Sequence, residues 1–143
     1  MGFYQNFKKD DMEKETLNAL FSTKTLREIF PEKRANDFFE ALFGDANEGA
    51  YDIRLAYIGL DGRTLSMELQ LFERPGRCLA CNLTQGLPTV FARHPVINIA
   101  GIVRDVDKLL AGRARCKDWS LGYTKQNTRS VHAIPLKITL EKS

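Results

Sequence analysis

The apolar positions of the chain follow two different periods, and the change from one to the other falls near Gly44. Up to that glycine they recur at three and four residues, the spacing of one helix face. Leu17, Leu20 and Phe21 fit such a face, in a helix expected to begin after Asp10 or Asp11. Either carboxylate can accept from the free N–H groups of a first helical turn. Thr25 and Glu28 form a capping box for a second, shorter helix. Pro31 suits a first helical position. Ala35, Phe38, Phe39, Leu42 and Phe43 then make a continuous apolar stripe, with Gly44 placed to turn left-handed just past its end. A face this rich in phenylalanine has to be buried, and the sheet that follows is the surface to bury it.

Beyond Gly44 the period becomes two. Tyr51, Ile53, Leu55 and Tyr57 alternate with Asp52, Arg54 and Ala56, and Leu65, Met67, Leu69 and Leu71 alternate with Thr64, Ser66, Glu68 and Gln70. Asp61-Gly62 between the runs predicts a type I′ hairpin, and Pro75-Gly76 marks the next turn. A third strand is expected through Cys78 and Cys81. Residues three apart on a strand face opposite sides and lie about 10 Å apart. In that placement the pair reaches neither a disulfide nor a shared zinc ion. The stretch from Gln85 to Pro95 reads as an irregular loop. Val96, Ile99, Ile102, Val103, Val106, Leu109 and Leu110 fit a helix face, giving a helix at about 99–111, although Val96 to Ala100 alone also suits a short strand. Trp119, Leu121 and Tyr123, then His132, Ile134, Leu136, Ile138 and Leu140, alternate as two final strands. Pro135 requires the last of them to lie at an edge or to bulge.

The predicted fold is therefore α+β: N-terminal helices within 10–44, then a sheet-rich region, 51–143, with a mainly antiparallel five-stranded sheet. Its strands come as a three-strand meander, a helix and a two-strand tail. That order of later elements is similar to the order in type III secretion chaperones, a likeness of order alone, and fold does not fix function. The 143 residues correspond to one domain, 1–143, large enough to fold without disulfides or metal.

Composition sharpens the functional side. The chain is 43% hydrophobic and 27% charged, as in a soluble globular protein. It has no apolar run of membrane-spanning length, so no membrane partner is expected. The start lacks the apolar core of a signal peptide, and Asn6 stands where a myristoylation pattern wants Ser or Thr. Three cysteines without a secretory signal point to a cytoplasmic protein with reduced thiols. Net charge is +3, distributed unevenly: residues 1–50 carry seven basic and ten acidic side chains, residues 101–143 nine basic and four acidic. That asymmetry suggests a basic docking surface in the C-terminal third.

Catalytic motifs do not emerge. Arg115 and Lys117 flank Cys116 and would favour its thiolate, but neither His94 nor His132 sits in a catalytic motif. Asp105 and Asp107 diverge on a helix, and no glycine-rich phosphate loop is present. The expectation is a non-catalytic binding domain without a cofactor. Its site should lie where the Thr84 to Pro95 loop meets the basic segment, with Arg93, His94, Arg113, Arg115, Lys125 and Arg129 receiving a protein partner or a small anionic ligand. One alternative is a zinc-binding protein using Cys78 and Cys81 with Cys116 or His94. Another is a weak single-stranded nucleic-acid binder with Trp119 and Tyr123 as stacking rings. The Phe-rich helix, or an edge strand containing Pro135, would also allow a homodimer.

Overall fold

Ser22 opens the first helix for which both ends are seen. Its hydroxyl accepts from the Thr25 N–H, and α1 runs Thr23–Ile29. The helix thus starts earlier than the Thr25–Glu28 box implied, because Ser22 is extended and takes the capping role itself. The structure, a computed structural model, describes residues 14–142; the expected helix start at Asp10 or Asp11 and the signal-peptide and myristoylation readings lie outside them. Residues 14–20 are helical and bury Leu17. α2 runs Lys33–Phe43, leaving Pro31 outside, and Gly44 closes it at φ 76 with its N–H on the Glu40 carbonyl. Ala35, Phe38 and Phe39 are buried, but Leu42 and Phe43 are 46% and 57% exposed. Only the first two turns of the predicted stripe face the core.

β1 (Tyr51–Asp61) and β2 (Thr64–Glu73) form the predicted hairpin, with Asp61 paired to Thr64. The turn residues are therefore Gly62 and Arg63, and the positive φ falls on Gly62 alone. That fits a type II′ turn, not the expected type I′ turn on Asp61-Gly62. No strand follows through Cys78. The chain coils through short 3-10 turns at Ala80–Asn82 and Thr84–Gly86 into α3 (Leu87–Arg93), with Pro88 in its first turn. The expected irregular loop is thus largely helical. The predicted later helix appears as α4 (Ile99–Leu110), and Val96 lies in the turn before it. Asn98 caps α4 by accepting from the Gly101 N–H at 3.1 Å.

The remaining strands are β3 (Arg115–Leu121), β4 (Lys125–Gln126) and β5 (Val131–Glu141). The open antiparallel sheet has the order β1-β2-β5-β3, with β4 also bonded to β5. The α+β class and five strands agree with expectation. The fifth strand is β4, however, not a third meander strand, and the likeness of order to secretion chaperones ends there.

β5 lies inside the sheet despite Pro135. β3 pairs with Leu136 to Glu141 and β4 with His132 and Ala133, so residues 134 and 135 face a break between them. The Pro135 carbonyl accepts from the Gly122 N–H at 2.8 Å. In an antiparallel strand the N–H and C=O of one residue point the same way. The missing N–H therefore falls on the break, where the ladder is already interrupted.

Leu65, Met67, Leu69 and Leu71 of β2 stand opposite Ile138, Leu136, Ile134 and His132 of β5, all buried. Phe91 of α3 and Ile102, Val106 and Leu110 of α4 join the same core. Burying each such side chain contributes about 1.5–3 kcal/mol. Two arginines tie the helices to it. Arg34 donates to the carbonyls of Ile29 and Ile97 and lies over the Phe30 ring. Arg74 donates to the Ala46 carbonyl at 2.9 Å, Asn36 Oδ1 at 2.7 Å and Asp52 Oδ1 at 3.0 Å, with a longer contact to the Gly49 carbonyl. Its guanidinium also covers the Phe39 ring at 5.3 Å.

Replacing Arg74 leaves those acceptors short of donors. Arg74→Met is expected to cost about 2–3 kcal/mol in urea unfolding with an unchanged m value. Arg74→Lys should recover less than half, because a point ammonium cannot span acceptors spread around a guanidinium fork.

Candidate functional site

The six expected site residues do not converge. Arg93 ends α3 and is exposed. His94 is a turn residue: Nδ1 accepts from the Val96 N–H at 3.2 Å, and the ring packs edge-on against Phe38 at 4.8 Å. Arg113 lies past α4 and donates to the Leu110 carbonyl. Arg115 is opposite Glu141 and Lys125 is opposite Ala133. Those partners are eight residues apart on β5, about 26 Å along the strand. Arg129 precedes β5 in the same turn as Thr128, whose N–H bonds the Val131 carbonyl. Arg113 and Arg115 therefore sit at one end of the sheet, and Lys125 and Arg129 at the other.

The structure instead assembles a polar cluster at the Lys125 end. The break opposite Pro135 lets the chain leave the ladder after Leu121, and Thr124 turns inward. Its hydroxyl donates to the Thr84 carbonyl at 2.7 Å, and Thr84 Oγ1 is 2.7 Å from His132 Nδ1. All three residues are buried, His132 to 1% exposure. Buried polar groups need such partners. The cluster joins the 3-10 turn after β2, the β3–β4 connection and β5. Its members are 40 and 48 residues apart, and no sequence motif links them.

Each of these threonines follows a strongly exposed apolar residue. Leu83 is 82% exposed and Tyr123 is 89% exposed. Tyr123 was expected to continue the core alternation of Trp119 and Leu121, but it lies past the end of β3 and points to solvent. Leu83 adopts φ 50, unusual for a residue with a Cβ, next to the anchored Thr84. The two segments joined by the Thr84–Thr124 bond are basic, while β2 brings Glu73 to the same end, its N–H on the Ser130 carbonyl. Residues 74–98 contain Arg74, Arg77 and Arg93, residues 119–140 contain Lys125, Arg129 and Lys137, and neither contains Asp or Glu. Glu73, at the boundary, accepts the Leu79 N–H. Asp45 and Glu48 lie in the turn whose Asn47 carbonyl accepts from Arg77.

Cys78 and Cys81 overturn the expected extended geometry. In the coiled segment their Cα atoms are 5.4 Å apart and the sulfurs form a disulfide. Bonded to each other, they offer no thiolate to a metal. Cys116 is opposite Leu140, near the far end of β5. Among the described residues no three His, Cys, Asp or Glu side chains are grouped to hold a metal ion. Burial, and then the Asp107 carboxylate beside it, pushes the Cys116 thiol up to about 11. The expected help from Arg115 and Lys117 does not arrive: both are exposed, while Asp107 accepts the Cys116 N–H at 2.8 Å. Among the described residues no helix is long and apolar enough to cross a membrane.

Burial lowers the His132 pKa, so the folded chain resists protonating it. An unfolded chain takes up that proton near the free imidazole value of about 6.5. The unfolded state then binds more protons as pH falls, and stability drops from about 6.5 down through the lower folded value. Urea midpoints measured from pH 8 to pH 5 should show this fall. A His132→Gln chain should show a shallower one, and the His132 ring resonances should titrate below the free value.

No family model matches the chain, no curated protein matches it, and no solved structure matches it.

Proposed function

We propose that this protein is a non-catalytic binding domain that takes an acidic polypeptide segment at the Lys125 end of its sheet. Leu83 and Tyr123 would be the apolar anchors, with Lys125 and Arg129 supplying the charge. One observation carries the reading. Among the described residues the two most exposed large apolar side chains both adjoin the buried Thr84–Thr124 bond, in segments that hold basic but no acidic residues. An exposed tyrosine on an anchored backbone loses little freedom on binding, which suits an interface hot spot.

The exposure also favours a polypeptide over a small anionic ligand. Small ligands are held in concave sites. Side chains more than four-fifths exposed stand out from the surface, where a partner with its own groove can receive them. Nucleic acid is less well served, because Trp119, one of the two stacking rings that reading needs, is half-buried in β3 opposite Ile138. A cytoplasmic location is proposed with the same reading, although the Cys78–Cys81 bond departs from the reduced thiols expected there and leaves Cys116 as the free cysteine among the described residues.

An array of short synthetic peptides, graded in charge and with or without Leu and Phe, tests the proposal. Acidic peptides carrying an apolar residue should be retained selectively, and binding should fall at least tenfold in Leu83→Asp and in Tyr123→Ala. Binding without preference for acidic sequences, or undiminished in both variants, would overturn it. So would tighter binding of a single-stranded oligonucleotide of equal charge in the same buffer.

A further inference from the structure

Apart from whatever the Leu83–Tyr123 surface receives, we infer that Cys78 and Cys81 form an exchangeable dithiol–disulfide site, attacked at Cys81 by a low-molecular-mass thiol. The pair is asymmetric. Cys81 is exposed, whereas Cys78 is half-buried beside the fully buried Leu79. An incoming thiolate therefore reaches the Cys81 sulfur first. The Cys81 N–H points at Cys78 Sγ from 3.2 Å, so the sulfur that must leave already has a donor for the charge it acquires. The Arg77 guanidinium donates to the Asn47 carbonyl, and the Glu73 carboxylate is held by the Leu79 N–H, so the Cys81 N–H is the contact that stabilises the leaving Cys78 sulfur.

The exchange balances in two steps. The thiolate of RSH attacks Cys81 Sγ, forming an R–S–Sγ bond. The bond between the two cysteines breaks, and its electron pair leaves on Cys78 Sγ as a thiolate. A second RSH, also as thiolate, attacks the R sulfur of the mixed disulfide, forming RSSR and releasing Cys81 as a thiolate. The two protons given up by the thiols pass to Cys78 and Cys81. Two thiols are oxidised to one disulfide, and the protein disulfide is reduced to two thiols; with RSSR in excess the same steps run backwards. The bond closes only a turn of the chain between β2 and α3, outside every strand pairing. Opening it breaks no strand pairing, and Leu79 between the two cysteines stays anchored by its own burial.

The test is a titration of the native full chain in glutathione buffers of graded redox ratio, with thiols trapped by acid and alkylation and located by peptide mass analysis. Cys78 and Cys81 should open and close together and reversibly without denaturant. Cys116 should stay unmodified throughout, as an internal control. Cys78→Ser should collect glutathione on Cys81, and Cys81→Ser should collect it on Cys78 at least tenfold more slowly. If either variant fails to fold by circular dichroism, the mixed disulfide quenched early in the wild-type reaction reports the same preference. A bond that opens only in denaturant would overturn the inference. Free thiols at every redox ratio, or glutathione appearing first on Cys78, would do so equally.

Discussion

Pro135 has no N–H to donate, yet it lies in a strand paired on both sides. That single absence shapes the Lys125 end of the molecule. An unbroken neighbour beside Pro135 would leave a carbonyl of its own without a donor. The chain instead splits its edge into β3 and β4 and crosses the break at Gly122, Tyr123 and Thr124. Gly122 still uses the Pro135 carbonyl, Thr124 turns its hydroxyl inward, and Tyr123 is left outside. The surface proposed for binding thus follows from a gap that the proline imposes.

The opposite wall of that surface depends on how the chain leaves β2. Arg74 immediately follows β2, and its N–H bonds the Ala50 carbonyl. Its guanidinium then gathers α2, the 46–49 turn and β1 around one charge. With its start fixed in this way, the next segment has room to coil instead of adding a strand. Leu79 is buried, Cys78 and Cys81 close on each other, and Thr84 arrives at His132. The disulfide and the exposed Leu83 are therefore two products of one coiled segment, one chemical and one steric.

Burial explains which sequence signals misled. Cys116 between two basic neighbours suggested a thiolate, but Arg115 and Lys117 extend into water while the thiol is half-buried beside Asp107. Exposed charges are screened by solvent, whereas a carboxylate beside a half-buried group is not. His94 was expected to present a donor; its Nδ1 accepts the Val96 N–H within its own turn, which leaves Nε2 as the ring's donor. In both cases the composition around the residue was read correctly, and the direction each side chain takes was not available from it.

The sequence by itself determined the α+β class, the β1–β2 hairpin, α2 with its Gly44 stop, α4 and the core face of β5. These rest on local periods and caps, and a period of two or of three to four leaves only one face to bury. Tertiary structure alone decided that Cys78 and Cys81 meet, that β5 is interior, and that Thr84, Thr124 and His132 share bonds across 40 to 48 residues. It also decided that Arg113 and Arg115 separate from Lys125 and Arg129 to opposite ends of the sheet. Each of these is a matter of register between distant segments. Register comes from the summed packing of whole faces, and no short stretch of residues records that sum.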